Sequence, residues 1–178
     1  MPEQRSFGFY AYDKGPSNMI ALVAQEAQKR AHHVVHIPPQ VKSGALEYVE
    51  AASECDAILI GLSSFQTQEE TDFVNAVWKR QREKMERWIG HDIGDNEWPD
   101  HFTRAKVVVM EDVPGTCLRP LAKDLTSQVY AAIVAAPFAA EDALNFGYKM
   151  VRYEGPIPTQ EDTHTAAKVV RFLEEITR

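Results

Sequence analysis

Four short apolar runs, each followed at once by a turn of small and polar residues, constrain the fold of this chain more than any other feature. Continuous runs of Val, Ile, Leu and Ala are typical of strands buried on both faces of a parallel sheet. Parallel strands gather the loops that follow them at one edge, so we expect the four turns to share an edge. The four units span residues 7–18 (FGFYAYDKGPSN), 57–66 (AILIGLSSFQ), 106–115 (KVVVMEDVPG) and 131–140 (AAIVAAPFAA).

The stretches between these runs have the apolar spacing of helices. Strands that alternate with helices indicate a Rossmann-like three-layer αβα sandwich with a mainly parallel sheet of five or six strands. We expect the strand order 3-2-1-4-5-6, with the switch point of the sheet between the first and fourth strands. Helices are predicted over residues 15–30, 44–52, 67–89, 139–146 and 160–177, and further short strands over 34–37 and 150–153.

Length, charge and cysteine content limit the class of protein. The 178 residues suit a single domain, with an irregular insertion at about 90–104. The formal net charge of −7 argues against a nucleic-acid partner, because a phosphate backbone requires a basic surface. No apolar run approaches the roughly 20 residues that span a bilayer, so no membrane partner is expected. Cys55 and Cys117 are isolated in the sequence, which favours a reducing, cytoplasmic location.

The turn after the first strand is a candidate anion site. Free N–H groups and the helix dipole attract anions to the start of a helix, and Lys14 adds a positive charge there. The turn matches neither GxGxxG nor the GK[ST] of a P-loop, so a standard dinucleotide or Walker-type grip is not expected. The alternative is a capped turn that binds nothing. The candidate ligand-binding residues here are Lys14, Gly15, Ser17 and Asn18.

The turn after the third strand offers neutral hydrogen-bonding groups. Ser63, Ser64 and Gln66 are predicted to contact a ligand, or else to serve only as turn residues. No GxSxG elbow is present, so a nucleophilic serine is not predicted. Thr67 and Glu70 fit the pattern of a capping box, which is a structural use.

The turn after the fourth strand carries the candidate catalytic residues. Glu111 and Asp112 end an apolar strand, and burying carboxylates there is costly unless they have partners, of which Arg119 is one candidate. A carboxylate here would act as a general base or bind a sugar hydroxyl, or alternatively would only brace the loop. His and Asp residues of the insertion match no zinc signature, so no metal site is predicted, and the sequence names no cofactor.

The order of these pieces resembles the amino-terminal Rossmann-like half of GT-B glycosyltransferases and their sugar-epimerase-like relatives. The resemblance rests on the turn at residues 15–18 (GPSN), the GxS-like turn at 61–64 (GLSS), the acidic residue Glu111 with the later Arg119, and the turn at 155–158 (GPIP). It implies the same fold and a glycosyl-processing chemistry. That family holds its nucleotide-sugar donor mainly on a second domain, so a lone half implies an acceptor-side pocket. Either catalysis is then absent, or a second subunit completes the cleft.

Three functions are therefore predicted from the sequence. The first is binding of a small anionic or nucleotide-type ligand at the carboxyl ends of the strands. The second is a glycosyl-transferring or glycosidic-bond-processing enzyme that uses Glu111 or Asp112. The third is an interaction module, in which the polar helix and insertion at 67–104, with Trp78, Trp88 and Trp98, form a homodimer surface.

Overall fold

The computed structural model describes residues 4–39, 41–42, 44–62, 68–91, 105–111, 128–148, 150–153 and 163–178, and the account of the fold concerns these residues. They form one sheet of six parallel strands with helices on both faces. The strands are β1 Ser6–Ala11, β2 His33–His36, β3 Ala57–Leu62, β4 Lys106–Glu111, β5 Val129–Val134 and β6 Val151–Tyr153. The helices are α1 Lys14–Lys29, α2 Leu46–Ser53, α3 Gln68–Ile89, α4 Pro137–Asn145 and α5 Thr163–Ile176.

The predicted strand order is wrong, although the parallel three-layer sandwich is confirmed. The observed order is β2-β1-β3-β4-β5-β6, so the switch point lies between β1 and β3 rather than between β1 and β4. The reason lies in β2, where His33 and His36 are exposed and the two valines are only half-buried. Such a strand suits an edge, whereas β3 is buried throughout and takes a neighbour on each side. The order 3-2-1-4-5-6 would place the polar β2 inside the sheet.

Alternating side chains divide the core into two layers. Phe7 and Phe9 of β1 face α1 and α5, whereas Tyr10 faces the layer of α2, α3 and α4. In β3, Leu59 faces the first layer and Ile58 the second. This period of two, with both faces buried, is what continuous apolar runs provide in a parallel sheet.

Close packing at one glycine positions the start of α1. Gly61, near the end of β3, lies so close to α1 that a Cβ atom added there would be 2.8 Å from Ile20 and 2.9 Å from Pro16. Distances below about 3 Å are not tolerated between carbon atoms in a packed interior, so only glycine permits this approach. The first turn of α1 is therefore held directly over the carboxyl end of β3.

The charged half of α3 packs on α2, which sequence reasoning did not anticipate. Arg80 and Lys84 both form ion pairs with Glu50 of α2, and the Lys84 contact is 2.8 Å long. These two cations lower the pKa of Glu50 to about 2. Gln81 and Met85 are buried beneath them. Most of the polar stretch of α3 therefore packs against other parts of the chain. Trp88, near the end of α3, is 68% exposed.

The predicted elements correspond to observed ones with shifts of up to two residues at their ends. The largest shifts are at the starts of α2 and α4, each two residues from the predicted position, and the predicted start of α5 lies outside the described residues. Most of the predicted insertion and the loop after Glu111 lie outside the described residues. Within the described ranges, no helix is both long and apolar enough to cross a membrane.

Candidate functional site

The carboxyl ends of β1, β3 and β4 lie side by side at one edge of the sheet. Ala11 of β1 is in register with Gly61 of β3, and Leu62 is in register with Glu111 of β4. Neighbouring strands are about 4.8 Å apart. The points at which the chain leaves these three strands therefore lie within about 10 Å of one another. In an open parallel sheet a ligand binds outside the carboxyl ends at the switch point, which here lies between β1 and β3.

The turn from β1 into α1 exposes most of the residues predicted to bind an anion. Lys14, Gly15 and Asn18 are exposed, whereas Ser17 is half-buried and its amide donates to the Asp13 carbonyl at 3.1 Å. Pro16 has no N–H group, so the amides of Lys14 and Gly15 and the Lys14 ammonium supply the positive end of this helix.

Acidic groups border the same turn. Asp13 is the N-cap residue of α1, and its side chain makes no capping hydrogen bond. The fully buried Tyr10 stacks on Phe73 at 4.2 Å and donates its hydroxyl to the Val41 carbonyl at 2.9 Å. Burial raises the pKa of Tyr10 above its ordinary value, and the charges of Glu70, Glu69 and Asp13 raise it further. The crevice is therefore more acidic than the anion site predicted from sequence.

Sequence reasoning did not predict the burial of Glu70 and Tyr10 near this edge. Glu70 lies in the first turn of α3 and is only 1% exposed, whereas its place in a capping-box pattern suggested only a structural use. Tyr10 was counted only as part of an apolar strand. The available signal was a tyrosine near the carboxyl end of that strand, because a buried hydroxyl requires a hydrogen-bond partner.

Glu111 is fully buried at the carboxyl end of β4. Its Oε1 accepts a hydrogen bond from the Ala135 amide at 2.9 Å, which ties β4 to the turn between β5 and α4. The structure thus gives this carboxylate a bracing contact, which the sequence offered as one of two alternatives. The other candidates at this edge, Ser63, Ser64, Gln66, Asp112 and Arg119, lie outside the described residues.

A second buried tyrosine was also missed. Tyr148 follows α4, is 3% exposed and belongs to the core layer that α2, α3 and α4 form. Its hydroxyl has no hydrogen-bond partner in the described part of the chain. Burial raises the pKa of Tyr148, and the charge of Glu111 raises it further. No local sequence pattern predicts that Tyr148 is buried.

The described residues offer no other obvious chemistry at this edge. Among them, no group of three or more His, Cys, Asp or Glu side chains is arranged to hold a metal ion. Cys55 is buried beneath β1, and burial raises its thiol pKa to about 12, with smaller contributions from Asp56 and Glu54. A thiol with such a pKa is a packing group rather than a nucleophile.

Comparison with known proteins supports the fold. No protein-family model matches the chain, and no curated protein matches it either. A solved structure of a diflavin flavoprotein A3 from Nostoc sp. superposes with a TM-score of 0.52 at 13% identity, covering 98% of this chain and 94% of that one. The strand order β2-β1-β3-β4-β5 is the flavodoxin-like arrangement of doubly wound sheets. The chain therefore has a parallel, flavodoxin-like α/β fold, and none of the comparisons supports the resemblance to GT-B glycosyltransferases.

Proposed function

We propose that this chain binds a small nucleotide-type ligand outside the carboxyl ends of β1 and β3. The observation that carries the proposal is the position of the switch point, together with the exposed start of α1 beside it. Flavodoxin-like sheets place a flavin nucleotide at this crevice. The solved neighbour is itself described as a diflavin flavoprotein, which supports including flavins among the ligands tested.

The charges around the crevice limit the negative charge that a bound ligand can carry. Lys14 and the amide of Gly15 would hold an anionic group, with Ser17 and Asn18 as further donors. The negative charges of Glu70, Glu69 and Asp13 act on Tyr10 near the end of β1, and such charges would repel a highly charged anion. We therefore favour a ligand with one phosphate, such as a nucleoside monophosphate or a flavin mononucleotide, over a di- or triphosphate.

Calorimetric titration of the folded protein tests this proposal. The panel consists of flavin mononucleotide, AMP, ATP and UDP-glucose. Lys14→Ala should weaken binding of the monophosphates about tenfold, because it removes a charge-assisted contact of about 1.5 kcal/mol. Lys29→Ala removes the same charge from the far end of the same helix, where Lys29 forms only an exposed 3.7 Å pair with Glu26, and should leave binding unchanged.

Either of two results would overturn this function. A folded protein that gives no heat with any member of the panel does not bind nucleotides at this crevice. Equal weakening by Lys14→Ala and Lys29→Ala would show that a non-specific charge effect, and not the start of α1, is responsible.

A glycosyl-processing enzyme is the second candidate, and the observation that favours it is a carboxylate, Glu111, at the carboxyl end of β4. Glu111 or the adjacent Asp112 would serve as the acid or base in that reaction. Consumption of UDP-glucose with and without sugar acceptors tests the idea. We expect Glu111→Gln or Asp112→Asn to abolish turnover. Turnover that both variants retain, or its absence from the wild type, would remove this candidate.

Self-association is the third candidate, and the 68% exposed Trp88 near the end of α3 favours it. Large exposed aromatic side chains are enriched where proteins contact one another. Sedimentation at increasing concentration should show a dimer that Trp88→Lys dissociates. A monomer over the whole range would contradict a homodimer formed through the region at 67–104.

A further inference from the structure

A groove with an aliphatic lining lies between α2 and α3. Its volume is about 410 Å³, which is within the roughly 300–1,000 Å³ that is typical of small-molecule sites. Three aliphatic side chains line it, namely Leu46, Val49 and Ala76. Leu46 is 78% exposed, which is the largest exposed fraction among the large apolar residues of the described chain. The apolar part of the groove is therefore accessible to a ligand.

The charged residues of the groove leave one charge without a partner. Arg80 forms ion pairs with Glu50 and, at 3.2 Å, with Glu83. Lys84 Nζ lies 2.8 Å from Glu50 Oε1, so two cations hold that carboxylate. Lys79 also lines the groove, is exposed and forms no ion pair within the described part of the chain. The groove thus presents one accessible ammonium group together with its aliphatic side chains.

The size and charge of the groove select the kind of molecule that fits. Seven described residues line it, whereas a stable protein interface uses roughly 20–30 residues on each side, so a small molecule is favoured. A ligand with several negative charges would meet only one unpaired cation and would be repelled by Glu50 and Glu83. A cationic ligand would find both carboxylates already paired and would be repelled by Lys79. The groove therefore suits an aliphatic molecule that carries one negative charge.

We propose that the groove between α2 and α3 binds an aliphatic monocarboxylate. The alkyl chain lies against Leu46, Val49 and Ala76, and the carboxylate accepts a hydrogen bond from the Lys79 ammonium. Burial of the alkyl chain supplies most of the affinity, because an exposed ion pair contributes little. No aromatic side chain is among the described residues of the lining, so a flat ring has no stacking partner there. This site shares no residue with the start of α1 and does not depend on the proposed function.

Titration of the wild-type protein with octanoate, followed by methyl NMR, is the first test. Octanoate should shift the methyl resonances of Leu46, Val49 and Ala76 along saturable curves. The methyl resonances of Leu144 should not shift, since this 57% exposed leucine lies on α4 and does not line the groove. Each methylene added between butanoate and octanoate should tighten binding about twofold to fourfold. Octylammonium, which has the same chain and the opposite charge, should bind more weakly than octanoate.

Variants of two exposed residues test the contacts of the alkyl chain and of the carboxylate. Leu46→Ser should weaken octanoate binding at least about threefold, whereas the matched change Leu144→Ser should leave it unchanged. Lys79→Met keeps the length of the side chain but removes its charge. It should weaken octanoate binding about threefold and bring the affinity towards that of octanol. Lys29→Met removes an exposed charge from α1 and should have no effect.

Measurements on the wild type alone can overturn this inference. Groove methyl resonances that do not shift with octanoate, or that shift equally with octylammonium, would exclude a carboxylate site between α2 and α3. Shifts that appear when the protein is concentrated without octanoate would place a second copy of the chain in the groove instead. Equal weakening by Leu46→Ser and Leu144→Ser would show that the alkyl chain binds non-specifically. None of these measurements uses a nucleotide, so this inference and the proposed function fail independently.

Discussion

At the amino end of the sheet the described polar groups pair with one another, whereas at the carboxyl end the described start of α1 leaves Lys14 and Asn18 exposed. At the amino end, Asp56 Oδ2 accepts hydrogen bonds from the Ser6 amide at 2.7 Å and from the Ser6 hydroxyl at 3.1 Å. The Asp56 carbonyl accepts the Lys106 amide at 3.0 Å. A single aspartate therefore joins the first residues of β1 and β4 to the start of β3.

A second network of hydrogen bonds and ion pairs lies at the amino end of the sheet. His32 Nε2 lies 2.8 Å from Glu174 Oε1 of α5, and Arg30 contacts the same carboxylate at 3.3 Å. The Arg5 amide donates to His32 Nδ1 at 3.3 Å, so Nε2 carries the proton that bonds to Glu174. His32 is 7% exposed and joins α1, α5 and the residue before β1.

The carboxyl end is built differently. Asp13 begins α1 without a side-chain cap, and Lys14 and Asn18 are exposed beside it. Exposed polar groups at the start of a helix remain accessible to an anionic ligand. Paired polar groups therefore stabilise the amino end of the sheet, whereas the polar groups at the start of α1 are accessible to a ligand at the carboxyl end.

The largest expected effect concerns the close packing of α1 against the carboxyl end of β3. Gly61→Ala places a methyl group about 3 Å from Ile20 and Pro16, neither of which can move without displacing α1. We expect a loss of about 2–3 kcal/mol in the free energy of unfolding, as for other overpacked cores. Urea titration measures it. Gly44→Ala is the control, because nothing lies within 4 Å of a Cβ atom there, and equal stability of the two variants would contradict the close approach.

The next effect probes the closed network at the amino end. Asp56→Ala leaves the Ser6 amide without its carboxylate partner, so we expect a loss of about 2 kcal/mol in unfolding free energy. Ligand binding at the opposite end should not change. Asp142→Ala, on the exposed surface of α4, should alter stability by less than about 0.5 kcal/mol. If Asp56→Ala weakened ligand binding without destabilising the protein, the two ends would not be separate in function.

The sequence predicted the elements well because their signals are local. Buried strands such as β3 and β4 are continuous apolar runs, and the spacing of Val169, Val170 and Leu173 indicated the last helix. Strand order is not local, since it depends on which strand accepts an exposed edge. The histidines that begin and end β2 were the available signal for an edge strand.

The sequence predicted which residues lie at the carboxyl edge of the sheet but not the contacts that they make. Turns that follow apolar runs indicated the carboxyl edge, and Lys14 and Glu111 do lie there. The contact between Glu111 and the Ala135 amide could not be predicted, because the two residues are 24 positions apart and approach only when β5 pairs with β4. The same is true of Tyr10, whose hydroxyl partner Val41 lies 31 residues away.

The smallest expected effect depends on pH and concerns Glu174. Burial opposes its ionisation, but hydrogen bonds from His32 and Arg30 outweigh burial and hold the pKa of Glu174 below its ordinary value. A carboxyl group whose pKa is lower in the folded than in the unfolded state stabilises the protein above the unfolded value, which is about 4.3. That stability is lost as the pH falls through the folded value.

Glu174→Gln should therefore cost about 1 kcal/mol of unfolding free energy at pH 7, and the difference from the wild type should shrink as the solution is acidified below about pH 4. Chemical denaturation at a series of pH values measures both. Glu175→Gln is the neighbouring control, because Glu175 is exposed and forms only a surface ion pair with Arg152, which is worth little. A difference for Glu174→Gln that grew in acid would have the wrong sign, and the amino end would then not be closed by this carboxylate.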